Sequence, residues 1–286
     1  MGPDWNTLVQ AEDLAAALGN EDLVVIDCRH SLADPEQGAG EYRRGHVPGA
    51  VHAQMDRDLS GPLRPGSGMG RHPWPSAAQL CERLGAWGVT PHHQVVAYDG
   101  GDGAFAARLW FLLRALGHAR VAVLDGGWAR WRTLGLPADT AIHPPAPARY
   151  VAEFDTQWLL DADGVQAHLA AGGLLLDARA GERFRGEVEP IDRVAGHVPG
   201  AVSRPFSDSL AADGRLRPPE ELRGGFERLM QGRTPAEVVV MCGSGVTACH
   251  HLLAMASAGL PGARLYTGSW SGWIDAPDRP VATGPE

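Results

Sequence analysis

Short apolar runs recur along the chain, at residues 24–26, 95–97 and 121–124 and again at 174–176 and 238–241. Runs of this length, rich in β-branched residues, predict strands covered on both faces, because a half-exposed strand would alternate with polar positions. Between them, residues 104–116 and 247–258 carry longer apolar patterns with helical spacing. Strands alternating with helices predict an α/β fold of mostly parallel sheets flanked by helices.

The pattern repeats. Gly-His-Val-Pro-Gly-Ala-Val occurs at residues 45–51 and again at 196–202, and Asp27-Cys28-Arg29 follows one apolar run as Asp177-Ala178-Arg179 follows another. The run ending at Asp99-Gly100 aligns with the one ending at Cys242-Gly243, and Leu124-Asp125-Gly126-Gly127-Trp128 with Tyr266-Thr267-Gly268-Ser269-Trp270. A duplicated unit therefore accounts for nearly the whole chain. The stretch 136–149 contains Pro137, Pro144, Pro145 and Pro147 and predicts an extended connection. Domains at 1–140 and 151–286, joined by a linker at 141–150, follow.

Composition narrows the classes. With 286 residues, 44% of them hydrophobic, each half can bury its own core. A net charge of −9 argues against non-specific binding to nucleic acid or anionic membranes, which requires surplus cations. The first ten residues lack the basic and apolar regions of a secretion leader, and no apolar run is long enough for a membrane span, so a cytoplasmic protein is expected. All 25 basic residues are arginine, which excludes chemistry that needs a lysine amine. The four cysteines, Cys28, Cys81, Cys242 and Cys249, show no disulfide framework and no zinc-ligand spacing, and no metal is expected.

The repeat also serves as an internal control. Residues shared by both copies, such as His46 and His197 in the Gly-His-Val-Pro motifs, are most simply structural, whereas the pair Asp99 and Cys242 differs in chemistry. Cys242 ends an apolar strand and precedes Gly243-Ser244-Gly245-Val246-Thr247, after which a helix begins with Thr247 as its expected N-cap. The carboxyl end of a strand is where open parallel sheets bind ligands. Glycines there let backbone N–H groups curl towards one point, and with the positive helix end they favour a thiolate and a persulfide anion. A merely buried cysteine is the ordinary alternative. The strand-loop-helix setting weighs against it.

The Gly-His-Val-Pro-Gly-Ala motif preceded by Tyr42, the Asp-x-Arg after a strand, the Cys-Gly-Ser-Gly-Val-Thr-Ala loop and the two Trp-containing segments together resemble the tandem-domain rhodanese superfamily. That resemblance covers almost the whole chain. It implies two rhodanese-like domains, an active Cys242 in the second and a non-catalytic first copy with Asp99 in its place. The loop resembles that of 3-mercaptopyruvate sulfurtransferases, in which Gly243, Ser244, Gly245, Val246 and Thr247 would surround the transferred sulfur. Thiosulfate enzymes of this type usually carry a basic pair there. The physical argument agrees, since a compact dianion gains from cations beside the sulfur and this loop supplies only Ser244 and amides.

The resemblance also implies a carboxylate-binding Arg183 after Asp177-Ala178-Arg179, with Arg193 as the replacement for a second arginine. It implies a Ser244, His72, Asp56 relay, which would draw on both domains because His72 and Asp56 lie in the first half. The expected reaction is a two-step transfer from a small donor to a thiol, cyanide or thioredoxin-like acceptor, without metal or organic cofactor. Thiosulfate as donor is the first alternative, and a sulfur-relay or binding module with little turnover is the second. A cysteine phosphatase is disfavoured, because Cys-x5-Arg chemistry meets Ala248 at the sixth position.

Overall fold

Parallel ladders form at the predicted runs in a computed structural model of the protein, which describes residues 3–285. In the first sheet β1 (Leu8–Val9), β2 (Leu23–Asp27), β3 (Val51–His52), β4 (Gln94–Tyr98) and β5 (Val121–Leu124) lie in the order β1-β5-β4-β2-β3. In the second, β6 (Leu159–Leu160), β7 (Leu174–Asp177), β8 (Ala201–Ser203), β9 (Val238–Met241) and β10 (Arg264–Tyr266) lie in the order β6-β10-β9-β7-β8. The two orders are the same, as duplication requires. The strands of both sheets pair in parallel, isolated antiparallel bridges join His46 to Asp139 and His197 to Ala282, and the central strands β4 and β9 are buried along their whole length. In each sheet the connections run outward in opposite directions from a neighbouring pair, β2/β4 or β7/β9. That switch point opens a crevice at the carboxyl ends of the strands.

Both repeat motifs acquire a packing role. Each Gly-His-Val-Pro-Gly-Ala-Val segment runs at its end into β3 or β8, strands too short to be legible from periodicity. His46 stacks on Tyr42 at 4.1 Å between ring centroids and His197 on Phe184 at 3.7 Å, all of them buried. Asp27 and Arg29 form a buried bidentate pair, and Arg29 also donates to the Gly45 carbonyl at 2.7 Å and lies over the Trp128 ring at 4.9 Å. Asp177 and Arg179 repeat the arrangement with the Gly196 carbonyl and Trp270. Each Asp-x-Arg thus ties the end of β2 or β7 to the motif that follows it.

Two compact units result, but the chain is not divided by a single cut. The first comprises residues 1–61, 75–155 and 211–216, and the second residues 62–74, 156–210 and 217–286. In the first, Ala148 donates to the Gly85 carbonyl at 2.8 Å, Tyr150 is buried, and Leu216 donates to the Asp125 carboxylate at 3.0 Å. In the second, Gly68 donates to Asp275 at 3.0 Å and Arg71 to the Ser271 hydroxyl at 3.0 Å. Residues 141–150 contain no helix or strand. No helix among the described residues is long and apolar enough to cross a membrane.

A buried ion pair that loses one partner leaves an uncompensated charge. Asp27→Ala should therefore destabilise the first unit by about 3–5 kcal/mol in urea unfolding. Arg185→Ala removes an ion pair with Glu187 whose side chains are 38% and 55% exposed, and should leave the unfolding midpoint nearly unchanged. Equal losses from the two substitutions would contradict this role for the Asp-x-Arg motif.

Candidate functional site

Cys242 follows the last residue of β9 and is only 1% exposed. Its loop is held from behind by the short helix Ser269–Trp273, where Trp270 N–H donates to the Cys242 carbonyl and Ser271 N–H to the Gly243 carbonyl, each at 2.9 Å. In a trans peptide the carbonyl and the following N–H point in opposite directions. The amides of Gly243 and Ser244 are therefore turned away from that helix. Gly245 continues the loop at φ 78°, a left-handed conformation that a side chain at that position would strain.

Ser269 is a residue that the sequence reading missed. It adopts φ 51°, rare for a residue with a side chain, and its hydroxyl accepts from the Cys242 N–H at 3.1 Å while donating to the Tyr266 carbonyl at 3.0 Å. The aligned residue of the first copy is Gly127, also at φ 51°. A serine where the sister copy has the strain-free glycine was the available signal. The Cys242 backbone is what that serine holds.

Ser244 is 6% exposed and His72 5%, and the Ser244 hydroxyl lies 2.7 Å from His72 Nδ1. His72 belongs to the second unit, through the segment 62–74, so the Ser244–His72 pair forms within one unit rather than drawing on two. Asp56 lies in the first unit, exposed on the short helix Met55–Asp58. Thr247 occupies the N-cap position of the helix Ala248–Ser257, but its side chain makes no capping bond because its backbone is already helical, which corrects the expected cap. Val246 is 3% exposed, its side chain packed into the core, so it offers the loop backbone only.

Arginines reach the loop from outside it, contrary to the expectation of a loop supplied only by Ser244 and amides. A Cβ placed on Gly243 would lie 3.1 Å from Arg71 Nη2 and 3.6 Å from Arg183 Nη1. Arg183 donates to Glu189 at 2.7 and 3.2 Å and to Asp192 at 3.1 Å, and Arg71 pairs with the other oxygen of Asp192. Glu189 also accepts from the N–H groups of Ile191 and Asp192, each at 3.0 Å. Burial works to raise the Glu189 carboxyl, but Arg183 and these two amides outweigh it and hold the group below its usual range. Arg71 was not foreseen because it follows a Gly-rich stretch with no periodicity. Its place beside His72 was the available signal. Arg193, in contrast, lines a separate cavity of about 350 Å³ with Val194, Ile274 and Arg279, since Asp192 is the residue of that turn that faces the arginines.

The equivalent place in the first unit is already filled. Trp128 N–H and Ala129 N–H bond the carbonyls of Asp99 and Gly100 at 2.8 and 3.0 Å, so that loop is held as its counterpart is. The Asp99 carboxylate then accepts from Gly101 and Gly103 at 3.0 Å, from Phe105 at 2.9 Å and from Ala106 at 3.1 Å. The chain supplies its own anion to its own amide cradle. Burial, reinforced by the charge of Asp102, pushes Asp99 up to about 6 against the pull of those amides. Cys28 in the same unit is pushed well above its ordinary value by burial and then by Asp27, Asp99 and Asp58. Burial likewise raises Cys81. Neither thiol is activated.

Two α/β units of one strand order, each with a loop held at the end of its central strand, make a tandem, duplicated fold. The Rhodanese-like domain signature matches residues 10–134 and 161–276, and the chain belongs to the rhodanese family. A probable 3-mercaptopyruvate sulfurtransferase of Pseudomonas aeruginosa is 52% identical, over 97% of this chain and 98% of its own. A putative thiosulfate sulfurtransferase of Mycobacterium tuberculosis is 38% identical, over 97% of each chain. The crystal structure of the 3-mercaptopyruvate sulfurtransferase SseA from Escherichia coli superposes with a TM-score of 0.80 at 31% identity, covering 93% of this chain and 100% of that one.

A carboxyl group whose folded value lies above its unfolded one stabilises the fold fully below the unfolded value, and the contribution is lost as pH rises through the folded value. For Asp99 the window is pH 4 to 6, and the contribution is on the order of 2–3 kcal/mol. Thermal unfolding of wild type should thus fall relative to Asp99→Asn as pH rises from 4 to 7. Parallel curves would show that Asp99 does not titrate in that window.

Proposed function

We propose that the protein is a sulfurtransferase that moves one sulfur atom from 3-mercaptopyruvate through a persulfide on Cys242 to a thiophilic acceptor. The observation that carries this reading is the setting of Cys242, a buried sulfur at the carboxyl end of β9 whose loop carbonyls are tied back to residues 270 and 271. Its names among relatives support the same chemistry.

In the first step the Cys242 thiolate attacks the donor sulfur. The new S–S bond forms as the donor's C–S bond breaks, and the electron pair goes to carbon as the enolate of pyruvate. That carbon needs a proton, and the Ser244–His72 pair is the buried donor in reach of the loop. In the second step a thiol, cyanide or thioredoxin-like reductant attacks the outer sulfur and regenerates the thiolate. The amides of Gly243, Ser244, Gly245, Val246 and Thr247 would cradle the persulfide anion. Burial of Cys242 shields it from bulk water.

Mercaptopyruvate is favoured over thiosulfate by the charge balance at Gly243. Arg71 and Arg183 are matched there by Glu189 and Asp192, so no large positive surplus awaits a dianion. Directed N–H groups suit one carboxylate. The first unit performs no transfer in this account, because Asp99 fills its cradle. Thiols kept reduced fit a cytoplasmic setting.

Pyruvate release from mercaptopyruvate with cyanide as acceptor tests the assignment. Cys242→Ser should lower turnover by at least about a thousandfold, and Ser244→Ala should lower kcat roughly a hundredfold. Undiminished turnover in Cys242→Ser would refute the mechanism. A kcat/KM for thiosulfate above that for mercaptopyruvate would reverse the donor.

A further inference from the structure

Two arginines meet at Gly243, and one of them comes from the segment 62–74, far from the loop in sequence but part of the same unit. Arg71 sits at the end of the Gly-rich stretch 66–70, anchored by its own N–H on the Ser271 hydroxyl, one residue from His72. Its Nη1 is held by one oxygen of Asp192, while the other oxygen of Asp192 accepts from Arg183 Nη2 at 3.1 Å. One carboxylate therefore bridges two guanidinium groups and fixes them side by side. Glu189 fixes the far edge of Arg183. Arg71 Nη2 and Arg183 Nη1 and Nη2 lie 3.1, 3.6 and 3.7 Å from the point where a Cβ on Gly243 would stand, and of the three Arg183 Nη2 is already bonded to Glu189 and Asp192.

From this geometry we propose that Arg71, not Arg193, is the second donor-binding arginine, and that Arg71 and Arg183 together grip the carboxylate of the sulfur donor. The proposal rests on the sulfurtransferase reading of Cys242 and extends it to how the donor is selected. Gly243 is adjacent in sequence to Cys242, so an anion gripped by these nitrogens would lie next to the loop that carries the sulfur. A carboxylate has two oxygens, and one N–H from each guanidinium meets them at no cost in side-chain freedom, because Asp192 and Glu189 already hold both arginines. The absence of a side chain at position 243 is what lets both guanidinium groups come this close to the loop. Arg193 faces the cavity bordered by Ile274 and Arg279 and contributes nothing to this grip.

The test compares Arg71→Gln, Arg71→Lys and Arg193→Gln with wild type in steady-state pyruvate release from mercaptopyruvate, after thermal melting has established that each variant is folded. Arg71→Gln should raise KM roughly tenfold to a hundredfold with kcat within about threefold, the signature of lost ground-state binding. Arg71→Lys keeps a cation for Asp192 but loses the planar fork, and its KM should fall between those of Arg71→Gln and wild type. Arg193→Gln should leave both constants within about twofold. An unchanged KM in Arg71→Gln, a tenfold rise in Arg193→Gln, or full restoration by lysine would overturn the assignment; restoration would mean that Arg71 serves only as a partner for Asp192. Inactive wild-type protein would instead contradict the sulfurtransferase reading itself, so the two failures are distinguishable.

Discussion

Everything at the site depends on two hydrogen bonds that pull the carbonyls of Cys242 and Gly243 backwards onto Trp270 and Ser271. A loop of five residues between a strand and a helix has many conformations, and in most of them carbonyl oxygens and N–H groups face the same crevice. Tying consecutive carbonyls to a second helix leaves the intervening amides with one direction to face. The same two bonds recur in the first unit between Trp128, Ala129 and the carbonyls of Asp99 and Gly100. The constraint is therefore older in the architecture than either loop's chemistry, and the tryptophans that begin these helices also cover the buried Asp-x-Arg pairs.

Given a fixed cradle, the residue at the strand end decides what the unit does. Aspartate brings a carboxylate that reaches four N–H groups and closes the site with the chain's own charge. Cysteine brings a shorter, softer group, and in the persulfide account the cradle is completed only when a further sulfur is attached. Burial raises the thiols of Cys28 and Cys81, which are held neutral.

The duplicated fold was legible because the central strands are continuous apolar runs and the repeated motifs fix their order. Strands β1, β3, β6, β8 and β10 were not, because two or three residues carry no periodicity, and their existence depends on neighbours already in place. Cys242, Ser244, His72 and Arg183 could be picked out from motif and residue chemistry, and Ser244 and His72 do meet. Arg71 and Ser269 could not, since their roles arise from tertiary contacts with Gly243 and the Cys242 amide. Sequence adjacency pointed to Arg193, whereas in this turn it is Asp192 that meets Arg183 and Arg71, because neighbouring side chains of a tight turn diverge. It also placed His72 with the first half, whereas the segment 62–74 packs with the second unit.

Intact-mass measurement of the protein after a single exposure to mercaptopyruvate without acceptor tests the central claim most directly. The account predicts a gain of one sulfur atom per chain, located on the peptide that contains Cys242, absent in Cys242→Ser and removed by added cyanide. A protein that releases pyruvate yet gains no sulfur, or that carries it on Cys28, Cys81 or Cys249, would contradict it.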